Sequence, residues 1–216
     1  MRLALRMMFL PSLRTLRIDS VVVSDPLTEP ECARLAALCG ASTVSALHIT
    51  YTELEIPELL RFLRLPRRLC ALSLPVDHGL SLAALRPALL AHQDSLAELT
   101  LGELGELGQR HPADNILGDL TPFTALRYLN TNIEYIVDTA STSIAAVLPL
   151  SIRTLNISCT ADADEVAFEK TVLEAMASCT NLKHFIVRSK RQEEPAIEVE
   201  CAKRGMSYQI LPRWKS

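Results

Sequence analysis

Alternating strands and helices, repeating about every 28 residues along one chain, predict an α/β solenoid with a curved parallel sheet on its concave side and helices on its convex side. Three observations carry this expectation. A motif of apolar, two variable, apolar, one variable, apolar residues recurs seven times; helix start and stop signals fall between successive copies; and leucine supplies 37 of the 216 residues while glycine supplies only 7. So little glycine weighs against folds that depend on several glycine-rich phosphate loops.

The motif reads Leu13-x-x-Leu16-x-Ile18, then Val44-x-x-Leu47-x-Ile49, Leu69-x-x-Leu72-x-Leu74 and Leu96-x-x-Leu99-x-Leu101. It continues as Leu126-x-x-Leu129-x-Thr131, Ile152-x-x-Leu155-x-Ile157 and Leu182-x-x-Phe185-x-Val187. The middle anchors are Leu16, Leu47, Leu72, Leu99, Leu129, Leu155 and Phe185, spaced by 31, 25, 27, 30, 26 and 30 residues. In the last four positions of each copy, alternate side chains point to opposite faces of a short strand. The two apolar ones turn inward, and no single strand can bury them, so each unit needs neighbours. A half-formed eighth strand is expected at Ser207 to Leu211.

Between strands the spacing changes to that of helices. Thr28-Glu-Pro-Glu31 is a capping box with proline in the first turn, and Gly40 supplies a stop; Cys32, Leu35, Ala36, Leu38 and Cys39 fall at helical intervals between them. Glu53 to Leu65 carries Leu54, Leu59, Phe62 and Leu63, with Pro57 confining the helix mostly to its later part. Ser81 to His92 and Ser141 to Leu148 are similar. Asp162 to Ser178 is the longest, with Asp162 as cap and Glu165 reaching back, and Glu194 to Arg204 is the last. Crossovers of this length make consecutive strands parallel. The segment Gly102 to Asn115 interrupts the pattern with three glycines at intervals of three; it matches no phosphate loop and is read as a longer connection with a short helix.

The search for chemistry is short. His48, His78, His92, His111 and His184 are scattered, with no pair four residues apart and no cysteines at ligand spacing, so no metal or other cofactor is expected. Asp162-Ala-Asp164-Glu165 lacks the glycine and distal glutamate of a calcium loop. There is no G-x-S-x-G elbow, and each cysteine occupies a plausible packing position. A net charge of −3 offers no field for nucleic acid or an anionic membrane, and no apolar run reaches membrane-spanning length. Arginine outnumbers lysine 17 to 5, a bias to which composition attaches no mechanism. Met1 to Leu10 is broken by Arg6 and stopped by Pro11, a poor signal peptide; it is free of acids until Asp19, as a mitochondrial presequence would be, but Leu13 to Ile18 already belongs to the repeat. Six cysteines without a C-x-x-C pair point to a reducing, intracellular setting, cytoplasmic or nuclear.

What remains is the outward row of the sheet. Its variable positions form a broad polar surface, from which Arg17, Asp19, His48, Thr50, Glu98, Tyr128, Asn130, Asn132, Asn156, His184 and Arg188 are the candidate partner-binding residues. Arginine and tyrosine lead because they anchor interfaces.

The motif copies resemble the leucine-rich repeat family over about residues 10 to 190. Cys179-Thr-Asn-Leu-Lys-His-Phe-Ile-Val187 is similar to the cysteine-containing and F-box-associated subtypes, in which a cysteine closes the preceding helix. The asparagine or cysteine that regular members carry three positions after the last apolar residue is absent at Val21, Thr52, Asp77, Thr160 and Lys190, so the repeats are irregular. The resemblance implies a horseshoe of about seven repeats occupying residues 1–216 as one domain, and a non-catalytic protein–protein interaction module that binds a protein partner through the concave sheet. Irregular repeats are also similar to the recognition half of F-box proteins, which implies a ubiquitin-ligase adaptor. The F-box itself is missing: Ile56-Pro-Glu-Leu-Leu-Arg-Phe-Leu63 resembles its opening helix but lies inside a repeat. An abrupt start without the usual N-terminal cap means either that another domain is absent or that Met1 to Leu10 improvises one. The competing expectation is an enzyme on an ordinary α/β sheet with an unrecognised active site. A weaker alternative is nucleic-acid binding through Arg67-Arg68 or Arg213-Trp-Lys215.

Overall fold

Strands with one apolar face lie side by side until that face is continuous. The computed structural model describes residues 2–19, 27–50, 56–76, 80–103, 116–137, 143–158, 165–189 and 195–212. Strands β1 (Thr15–Ile18), β2 (Ala46–Ile49), β3 (Ala71–Val76), β4 (Glu98–Glu103), β5 (Tyr128–Asn132), β6 (Thr154–Ser158), β7 (His184–Ser189) and β8 (Ser207–Pro212) form one open sheet in chain order. Every neighbouring pair is parallel. The seven middle anchors pair directly with one another, Leu16 through Phe185, and Tyr208 of β8 continues the line. The eighth strand is therefore complete rather than half-formed.

Helices α1 (Arg2–Met7), α2 (Glu29–Ala37), α3 (Ile56–Leu63), α4 (Leu82–Leu90), α5 (Glu165–Ser178) and α6 (Pro195–Arg204) cover the apolar face. Leu59, Phe62 and Leu63 of α3 and Leu82, Leu85, Ala88 and Leu89 of α4 join the strand leucines in one core. Successive helices pack on each other, α3 on α4 and α5 on α6. The segment resembling an F-box helix is thus α3, a core helix of its repeat. Ser81 caps α4, its hydroxyl accepting the Ala84 N–H at 3.2 Å, and the Glu31 carboxylate accepts both the N–H and the hydroxyl of Thr28 at 2.9 Å. Gly40, with φ +72°, allows the left-handed turn that follows α2.

Backbone hydrogen bonds repeat with the sequence. The carbonyl of the residue ahead of each strand, at Arg14, Ser45, Cys70, Ala97, Arg127 and Arg153, accepts two N–H groups of the next repeat at 2.7–3.0 Å. A hydroxyl just before the first apolar residue of a copy reaches the carbonyl of the preceding copy's first apolar residue. Thr43 donates to Leu13 at 3.1 Å, Ser95 to Leu69 at 2.8 Å and Ser151 to Leu126 at 2.7 Å. His92 ties three elements together: its Nδ1 accepts the Leu69 N–H at 3.4 Å, so the ring carries its proton on Nε2, 2.9 Å from the Leu63 carbonyl. Two arginines also reach carbonyls of neighbouring repeats. Arg86 donates to the Leu117 carbonyl at 2.9 Å and to that of Asp119, and Arg204 donates to the Met176 and Cys179 carbonyls at the end of α5. A guanidinium can satisfy several such acceptors at once, which lysine does less well.

Several expectations change. In α2 only Leu35 of the apolar series is buried; Leu38 and Cys39 fall beyond the end of the helix and are exposed. Among the described residues of 141–148 there is a single 3-10 turn, Ile144–Ala146, because Pro149 closes a 26-residue repeat that also accommodates the turn Ile133–Tyr135. Met1 to Leu10 contributes α1, whose Leu5 joins the core together with Met8, while Leu3 is 72% exposed. The Ser42 hydroxyl donates to the Met8 carbonyl and fixes this segment to the second repeat. Gly102 and Glu103 end β4; the rest of the Gly102 to Asn115 insertion, the expected Asp162 cap and the basic tail lie outside the described residues. No described helix is long and apolar enough to cross a membrane.

Candidate functional site

The second face of the sheet is built by the residues that alternate with the leucines. Strand register places them in three lateral rows. The first runs Thr15, Ala46, Ala71, Glu98, Tyr128, Thr154, His184 and Ser207. The second contains Arg17, His48, Ser73, Thr100, Asn130, Asn156 and Ile186, and the third contains Pro75, Gly102, Asn132, Ser158 and Arg188, with Asp19 and Thr50 extending it beyond β1 and β2. All eleven candidate residues thus belong to one face. Most of this face is wholly or partly exposed, in contrast to the anchor rows beneath it.

Three positions depart from the outward, solvated expectation. Pro75 is buried, and so are Asn132 (6% exposed) and Asn156 (4%). The cause is lateral crowding. Asn132 lies opposite Ser158, whose hydroxyl donates to its Oδ1, and Asn156 is flanked by Asn130 and Ile186. The Oδ1 atom of Asn156 has no hydrogen-bond partner among the described residues. Thr131, at an inward position, is buried as the pattern requires, and its hydroxyl donates to the Asn132 carbonyl at 3.1 Å.

At the first-repeat end, the leading candidate Arg17 engages another candidate, Asp19. The Arg17 guanidinium lies 2.9 Å from Asp19 Oδ1, and the Thr50 hydroxyl donates to the same oxygen at 3.1 Å. These contacts, that of Arg17 first, hold the Asp19 carboxyl below its ordinary range. A depressed carboxylate keeps its partners at pH values above that ordinary range and releases them as the pH falls through the lowered value. Arg17→Ala is expected to raise the Asp19 titration, followed by carboxyl NMR; an unmoved titration would show that the guanidinium does not hold it. At the other end, His184 Nδ1 lies 2.6 Å from the Ser207 hydroxyl. Tyr128 and Asn130 occupy the middle, partly exposed.

No family model, characterised protein or solved structure matches this chain.

Sequence reasoning missed a row beside the face. Arg127, Arg153 and Lys183 immediately precede β5, β6 and β7 and are all exposed. The Arg153 N–H donates to the Arg127 carbonyl at 2.9 Å, and the Lys183 N–H to the Arg153 carbonyl at 2.8 Å, so the three are lateral neighbours. The signal was present in the motif, as the first variable residue of three consecutive copies. Elsewhere, burial raises the Cys179 and Cys201 thiols and keeps them protonated. Among the described residues no group of three or more His, Cys, Asp or Glu side chains is placed to hold a metal ion.

Proposed function

We propose that this chain is an irregular leucine-rich repeat solenoid that binds another protein through the uncovered face of its sheet. The carrying observation is the lateral alignment of mixed polar side chains across parallel strands while the helices occupy the opposite side. A surface of this kind offers many weak, registered contacts and no convergent set of reacting groups, which suits recognition rather than catalysis. Tyr128 sits at its middle with Asn130 two residues along the same strand, and tyrosine supplies contact area at small entropic cost. Affinity purification followed by mass spectrometry is expected to recover a protein with the wild-type chain and to lose most of it with Tyr128→Ala. The variant is expected to keep its melting temperature within a few degrees, because the side chain is only half-buried. Equal recovery by both proteins would sink the proposal.

A further inference from the structure

The row Arg127, Arg153 and Lys183 does nothing evident for the fold. Parallel pairing sets the backbones of three like-charged residues about 4.8 Å apart along the strand-entry edge, an arrangement that is repulsive by itself. None of the three side chains has a hydrogen bond or ion pair among the described residues, and all are exposed. The equivalent position is Arg14 in the first repeat but neutral Ser45, Cys70 and Ala97 in the second to fourth, so an unbroken run of charge is found on repeats five to seven. Exposed His184 follows Lys183 directly. Beyond a Debye length of about 8–10 Å the chain's net charge of −3 is screened, and an approaching group meets this local row instead.

We infer that the strand-entry edge of repeats five to seven receives an acidic segment of a protein partner, its carboxylates facing Arg127, Arg153 and Lys183. This rests on the proposed binding role of the adjoining face and specifies the chemistry of what binds there. Acidic residues at i and i+4 of a helix have Cβ atoms about 5–6 Å apart, close to the lateral backbone spacing of the row. Three exposed cations across three strands, on a chain of net charge −3, match a short acidic stretch rather than the long run of phosphates that a nucleic acid presents, so the observations favour protein over nucleic acid.

The test uses the full chain and two fluorescent probes of equal charge, an oligoglutamate peptide and a single-stranded oligonucleotide, at low salt. The peptide is expected to bind, and the triple variant Arg127→Glu, Arg153→Glu, Lys183→Glu to weaken it by roughly tenfold or more. The helix-side triple Arg34→Glu, Arg64→Glu, Lys170→Glu changes net charge equally and is expected to alter binding less than twofold. Circular dichroism checks folding, with glutamine at the three row positions as the substitute if the glutamate variant does not fold. No peptide binding, equal losses in both triples, or tighter binding of the oligonucleotide each overturns the inference. A captured partner that Tyr128→Ala releases and the row triple does not would leave the face proposal standing and remove this one; the opposite result would do the reverse.

Discussion

Leu99→Ala is expected to lower the free energy of unfolding by about 2–5 kcal/mol, measured by urea denaturation. Leu99, the second residue of β4, is fully buried and paired with Leu72 on one side and Leu129 on the other. Truncation removes contacts on both neighbours, and the strands cannot close the gap without breaking the backbone ladder that holds their spacing. Thr100, the next residue, lies on the opposite face, and Thr100→Ala is expected to change stability by no more than about 0.5 kcal/mol. If the two substitutions behave alike, the assignment of faces is wrong along the whole sheet, because one register runs through it.

Phe185→Ala is expected to cost about 3–5 kcal/mol, with the damage confined to the last repeats. Phe185 is fully buried and stacks on Tyr208, with ring centroids 6.3 Å apart and planes within 9°. In the sheet order β8 pairs only with β7, and α6 packs against both β8 and α5. Each repeat depends on its immediate neighbours, so hydrogen exchange is expected to accelerate in α6 and β8 while β2 and β3 keep their protection. Uniform acceleration across the sheet would show that the array unfolds as one unit.

The strand register was readable because a period of two and a period near 28 act on the same residues. Placing Leu16, Leu47 and Leu72 inward fixes every alternate position, and the carbonyl ladder follows from that alignment. Burial of Asn132 and Asn156 was not readable, since it depends on what stands beside them on neighbouring strands rather than on their own positions in the motif. The helices were less legible than the strands. Helical spacing near residue 38 said nothing of where α2 ends, and the short repeat ending at Leu155 has 3-10 turns among its described residues where helical spacing predicted a helix. The arginine bias gained part of its explanation from Arg86 and Arg204, which join carbonyls about 30 residues away that no local pattern reveals. The leading binding candidate Arg17 proved to be paired with Asp19, whereas Arg127, Arg153 and Lys183, in the motif's first variable position, are exposed and have no ion pair among the described residues.

Each strand after β1 is hydrogen-bonded to the one made just before it. During synthesis on the ribosome, each newly emerged unit therefore finds its docking edge already assembled, and no strand has to wait for a distant part of the chain. Growth from the amino end can proceed one layer at a time, leaving a single unfinished edge exposed at any moment.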